Sequence, residues 1–166
     1  MERLWAPWRM EYITEEPRPG CLFCRVIENP DDTDAALVVW RPDGAVVMLN
    51  KYPYNPGHAM VAPVAHLGGL EDLDEAQTAS LMRALKRTIT VLKGALKPEG
   101  FNIGANVGRV AGAGMPDHVH LHVVPRWNGD TNFMSVVGNV RVLPEDLPTT
   151  ARKLRPIFER LAARGE

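Results

Sequence analysis

The run His118-Val119-His120-Leu121-His122-Val123-Val124 constrains this chain more than any other segment. Side chains alternate between the two faces of a strand. The three histidines therefore share one face, and Val119, Leu121 and Val123 share the other. The apolar face belongs to a core, and the imidazole face must meet water, ligand or metal. The chain holds only five histidines in 166 residues, so three of them in strict alternation point to chemistry. At strand rise, His118 and His122 stand roughly 13 Å apart. A single zinc, with bonds of roughly 2 Å, does not easily take both ends and the middle. A neighbouring pair could share a metal, and three together point to divided labour.

The rest of the chain supplies a scaffold for that strand. Residues 1–20 form an irregular arm with three Pro, three Arg and two Trp, and Trp5 and Trp8 are expected to pack it onto the body or a second subunit. Cys21-Leu22-Phe23-Cys24 then falls on a turn. Residues 36–40 and 45–50 read as strands, and Arg41-Pro42-Asp43-Gly44 between them predicts a hairpin. Residues 52–57 form a loop, and a third strand runs over about 58–64. Leu81, Leu85, Ile89, Leu92 and Leu96 recur at helical spacing within residues 70–96. Asp72 or Asp74 caps this helix, and Pro98 and Gly100 stop it. Residues 101–107 and 118–124 give the fourth and fifth strands, with Pro125 ending the latter. Leu154, Ile157, Phe158 and Leu161 predict a last helix, with Pro156 near its start or at a kink. Paired strands ahead of the first long helix argue for α+β, an antiparallel sheet with helices on one side.

Composition removes several classes of function. Nineteen Lys and Arg face twenty Asp and Glu, a net charge of -1, so a broadly basic nucleic-acid surface is excluded. Hydrophobic residues at 45% suffice for a core in one domain spanning 1–166. No run approaches the eighteen apolar residues of a membrane span, and the N-terminus lacks a signal-peptide layout. Two cysteines do not make a secreted disulfide scaffold, so a reducing cytoplasm is expected. By itself the Cys-x-x-Cys is half a zinc site, a redox pair or two core thiols. Gly108, Gly112 and Gly114 upstream of the histidines could turn backbone N–H groups around an anion, or simply link two strands. Arg109 and Arg126 flank the region, where they could neutralise phosphate or stand in solvent.

At this point the chain resembles the histidine-triad (HIT) superfamily. The His-φ-His-φ-His-φ-φ run carries that resemblance. Its diadenosine tetraphosphate phosphorylase-like bacterial branch is suggested by Gly112-Ala113-Gly114-Met115-Pro116-Asp117, Pro125-Arg126-Trp127 and Trp5-Ala6-Pro7-Trp8-Arg9. Residues 50–58 and Gly129-Asp130-Thr131-Asn132-Phe133 point the same way. The resemblance implies a homodimeric HIT-like enzyme that cleaves dinucleoside polyphosphates by phosphorolysis or hydrolysis. It implies that His120 attacks the α-phosphorus and that a nucleotidyl-imidazole forms. His122 would hold phosphate oxygens, Asn50 the ribose, and Asn106, Gly112 and Gly114 the phosphate, with His58 in support. Relatives that keep the Cys-x-x-Cys imply a structural zinc on Cys21, Cys24, His66 and His118. Many relatives carry a Ser or Thr where this chain has Met115, and its absence disfavours simple phosphoramidate hydrolysis. The alternatives are a phosphoramidate or adenylyl hydrolase and a non-catalytic nucleotide-binding protein. The substrate class is a small nucleotide, with no nucleic-acid polymer and no membrane as partner.

Overall fold

A computed structural model describes residues 19–130 and 145–163. The expectations for Trp5 and Trp8 and for Thr131, Asn132 and Phe133 lie outside the described residues. Among these residues five antiparallel strands form one sheet: β1 Val38–Trp40, β2 Ala45–Leu49, β3 Ala59–Pro63, β4 Gly100–Gly104 and β5 Leu121–Arg126. Their order is β1-β2-β3-β5-β4, so the strand carrying histidines sits between β3 and β4. The expected hairpin joins β1 to β2, with Gly44 at φ 77° and Ala45 N–H donating to Pro42 O. Among the described residues three α-helices pack on it, namely α1 Leu22–Glu28, α2 Glu75–Leu96 and α3 Leu147–Ala163.

Alternation assigns each sheet face its layer. Ala45, Val47 and Leu49, Ala59 and Val61, and Leu121 and Val123 turn toward α2 and α3, forming the main core with Leu81, Leu85, Leu92, Leu154 and Phe158. Val46, Met48, Met60 and Ala62 turn the other way and pack against Phe23 and Val26 of α1. Helices therefore cover both faces, whereas the sequence predicted one side only. The difference is α1, which the sequence read as a turn. Seven residues make too short a helix to stand on propensity alone, so burial of Phe23 and Val26 against the sheet holds it.

The long helix starts as expected. Asp74 accepts from the Gln77 N–H, and the Gln77 side chain accepts from the Asp74 N–H, a complete capping box. Asp72 instead accepts from the Gly69 N–H. Two strand boundaries differ from the sequence reading. His118 and His120 precede the β5 ladder, which starts at Leu121, and Pro125 lies inside it. Pro125 is tolerated because β3 pairs with β5 only over Leu121–Val123, while β4 pairs with it through Arg126. Asn55 Nδ2 donates to the Pro125 carbonyl in place of a strand.

Candidate active site and metal centre

The register places Met60, His122 and Gly104 in one row across the sheet, and Val124 and Asn102 in the next, with His58 just ahead of β3. All share the α1 face, opposite the main core. His120 continues that face upstream and is 5% exposed, and the Phe23 ring lies 4.9 Å from its own. The imidazole face is thus mostly buried rather than open, since α1 roofs its upstream half. Past the end of α1 the face opens into a cleft of about 430 Å³, lined among others by Tyr54, Asn102, Gly104, Asn106, His122 and Arg126.

Backbone groups fix the protons of His120 and His58, and His58 in turn fixes that of His122. A carbonyl can only accept, so His120 Nδ1, 3.0 Å from His118 O, carries a hydrogen and donates it. Burial pushes the His120 pKa down, against the opposing pull of that carbonyl, which keeps the ring neutral at pH 7. Its Nε2 then bears a lone pair. A backbone N–H can only donate, so His58 Nδ1 accepts from Tyr54 N–H at 3.1 Å. His58 is fully buried, and burial first, then His122 and His120, lowers its pKa to about 3. The neutral ring must hold its hydrogen on Nε2, from which it donates to His122 Nδ1 at 3.0 Å. Burial and then His120 lower His122 to about 4, so that ring is neutral too and its hydrogen sits on Nε2. The consequence is a pair with opposite roles, His120 Nε2 as a lone pair and His122 Nε2–H as a donor.

The other site residues fall into three groups. Asn106 lines the cleft beside His122. Asn50, at the end of β2, spends its Oδ1 accepting from Tyr52 N–H, and its Nδ2 lies 3.6 Å from Met60 Sδ. It shares the histidine face but does not line that cleft. Gly112 and Gly114 are exposed and do not line it either. The Gly112 and Ala113 amides donate to Arg109 O and Gly108 O, so these N–H groups close their own loop rather than ring an anion. His58 is sealed behind His122 and touches the cleft through the His122 and Tyr54 side chains. Sequence reasoning missed Phe23, whose signal was its place between two cysteines on a helix. It also missed Asn55, which donates to Asp130 Oδ2 at 2.8 Å and links the loop before β3 to the exit of β5.

The second cluster lies upstream. Ligand atoms of Cys21, Cys24, His66 and His118 all lie within 4.8 Å of one another. Cys21 Sγ is 3.2 Å from His118 Nδ1, Cys24 Sγ 3.2 Å from His66 Nδ1 and 3.7 Å from His118 Nδ1. Tetrahedral zinc with bonds of roughly 2.3 Å to S and 2.05 Å to N needs S···N separations of about 3.6 Å, so the donor set fits. His118 Nε2–H donates to Pro63 O at 2.8 Å, leaving Nδ1 with the lone pair that a metal requires. Burial, and then Cys21, push the Cys24 thiol up to about 11, so metal capture must displace protons. Four protein donors fill a tetrahedron and leave no position for a reactive water, which makes such a zinc structural. The Cys-x-x-Cys opens a helix with Cys21 at its N-cap, but among the described residues no βαβ unit surrounds it, which sets it apart from a thioredoxin-like redox pair.

Comparisons with known proteins agree with this geometry. The chain is 40% identical to an AP-4-A phosphorylase of Mycobacterium tuberculosis over 93% of this chain and 83% of that one. Its fold superposes on a Zn-bound histidine triad family protein of Mycobacterium smegmatis with a TM-score of 0.69 at 26% identity, covering 87% of this chain and 97% of that one. A hypothetical histidine triad nucleotide-binding protein of Sulfolobus tokodaii gives 0.69 at 28% identity, over 85% and 93%. The HIT domain model matches residues 32–129. The chain belongs to the HIT domain family.

Proposed function

We propose that this protein cleaves dinucleoside polyphosphates such as diadenosine tetraphosphate by nucleotidyl transfer through His120. The opposed states of His120, fixed by the His118 carbonyl, and of His122, fixed through His58 by the Tyr54 N–H, carry this reading. The His120 Nε2 lone pair forms a bond to the α-phosphorus. The bond from phosphorus to the bridging oxygen breaks, and the leaving nucleotide departs with the electron pair. Its terminal phosphate is anionic at neutral pH and needs no proton, which suits Met115 in place of a hydroxyl. The imidazole gains positive charge, which the His118 carbonyl stabilises through Nδ1–H. His122 Nε2–H donates to a non-bridging oxygen, where charge grows in the transition state. Water or inorganic phosphate then attacks phosphorus, the P–N bond breaks, and its electron pair returns to Nε2.

A structural zinc on Cys21, Cys24, His66 and His118 supports this machinery by pinning α1 to the segment before the nucleophile. When bound it supplies a fixed tetrahedral crosslink. The reading includes one domain over 1–166 and a homodimer in the cytoplasm. The dimer is supported by β4, which lies at the sheet edge with Ile103 46% exposed. Among the described residues no helix is long and apolar enough to cross a membrane.

Incubation with diadenosine tetraphosphate, with and without phosphate, tests the activity. Phosphate-dependent ADP with ATP identifies a phosphorylase, and AMP with ATP regardless of phosphate a hydrolase. No cleavage of the dinucleotide contradicts the reading.

A further inference from the structure

One cation faces the cleft beside His122 without a place in the mechanism above. Arg126 lies four residues after His122 on the same face of β5, about 13 Å along the strand. Its guanidinium does not extend freely. Nε–H and Nη2–H donate to the two Asp130 carboxylate oxygens at 2.6 and 2.9 Å, and Nη1–H donates to Asn102 Oδ1 at 2.6 Å. Asn102 pairs with Val124, so this last bond turns the fork back toward the His122–Gly104 row, which lies one pleat repeat, about 7 Å, further along the sheet. Three of five guanidinium N–H groups are thereby used for positioning, and two remain for a ligand. Asn106 stands on the wall, and Gly104, directly across from His122, contributes no side chain. A Cβ built on Gly104 meets nothing within 4 Å, so the space beside His122 is open.

We propose that this cleft is a subsite for phosphate beyond the α-position, with Arg126 as its cationic anchor and Gly104 keeping it clear. The assignment rests on the nucleotidyl-transfer reading for its place in the reaction. Displacement at phosphorus is in line, so the leaving group departs opposite His120, and the acceptor must later attack from that same side. One subsite therefore serves the departing polyphosphate and the incoming inorganic phosphate. A guanidinium held at three points loses little freedom on gripping phosphate, and its planar fork suits a tetrahedral anion.

The test separates this assignment from the activity itself by using equilibrium binding. In the H120N background, which prevents turnover, the subsite predicts that ATP binds at least tenfold more tightly than AMP. R126Q removes that advantage, and R126K keeps part of it. Asp130 retains the Asn55 and Trp127 N–H donors without Arg126, so the loop it organises persists in R126Q. G104V fills the cleft from a position with room for it and is expected to erase the ATP advantage independently. Equal affinities for ATP and AMP in H120N, or equal weakening of both by R126Q, overturn the assignment. This comparison remains decisive even if the wild-type protein cleaves no dinucleotide, a result that would sink the activity alone. In the active enzyme, R126Q raises KM for inorganic phosphate tenfold or more. An unchanged KM for phosphate contradicts shared use by the acceptor.

Discussion

Replacing His58 by phenylalanine isolates the hydrogen-bond chain behind His122. The ring volume is nearly kept, and so is the stack on Tyr54, whose centroid lies 4.9 Å away at 14°. Only the bonds to Tyr54 N–H and His122 Nδ1 disappear. In the wild type, a His122 with its hydrogen on Nδ1 would lose the 3.0 Å bond and confront another N–H, a penalty of about 1–3 kcal/mol. That bias holds roughly 85–99% of the ring in the donating form. Without it the two tautomers approach equal population, so about half the productive form remains. Looser ring orientation adds up to one lost hydrogen bond, about 1 kcal/mol. The expected fall in kcat for H58F is therefore about 2- to 10-fold. H58Q, whose amide N–H reaches toward the Nε2 position, is expected to recover most of it. The assay is steady-state cleavage beside ¹⁵N chemical shifts of the His122 ring, which report the tautomer directly. A loss in H58F as deep as that of H120N would refute the argument, because it would require His58 to take part in the reaction. Unchanged His122 shifts would refute it as well.

Other expectations concern the metal, pH and the backbone. The protein should bind one zinc per chain, and C21S/C24S should lose it together with thermal stability, measured by metal analysis and calorimetry. Unchanged zinc content would sink the ligand assignment. His58 is lowered to about 3, so between pH 6.5 and 3 the unfolded chain takes up a proton that the folded chain refuses. From His58 alone stability then falls by about 1.4 kcal/mol per pH unit in this window, about 2 kcal/mol by pH 5. Urea titrations of the wild type and H58F at pH 7 and 5 isolate that part, and the same pH-dependent loss in both would contradict a buried neutral His58. With His122 lowered to about 4, catalysis should stay level from pH 7 to 5 and decline below that. Gly57 sits at φ 75°, and a Cβ there would approach Leu96 Cδ1 to 2.4 Å. G57A should therefore cost about 1–3 kcal/mol by denaturation, from strain next to His58.

The parts legible in the sequence were those written in local period. Alternation placed His118, His120 and His122 on one face, and the step of three and four placed Leu81, Leu85 and Leu92 in the core. Elements held by tertiary contacts were not legible. Helix α1 depends on Phe23 and Val26 meeting β2 and β3, and nothing in seven residues announces that. The bond from Leu67 O to Val119 N–H, which draws His66 toward His118, spans segments fifty residues apart. The place of His58 behind His122 follows from the register of β3 on β5, which hydrophobic pattern alone does not set when both strands are buried. Arg126 was visible as a cation near the triad, but its orientation depends on Asn102 across the ladder. Gly112 and Gly114 looked like an anion cradle, but the Gly112 and Ala113 amides close their own loop instead.

The central claim is that His120 Nε2 forms a covalent bond to the α-phosphorus. Rapid quenching of the wild-type protein with diadenosine tetraphosphate at high pH, where phosphoramidates persist, followed by peptide mass spectrometry, tests it directly. A nucleotidyl adduct on His120, absent from H120N, is the predicted result. Turnover with no adduct, or an adduct on any other residue, would contradict it.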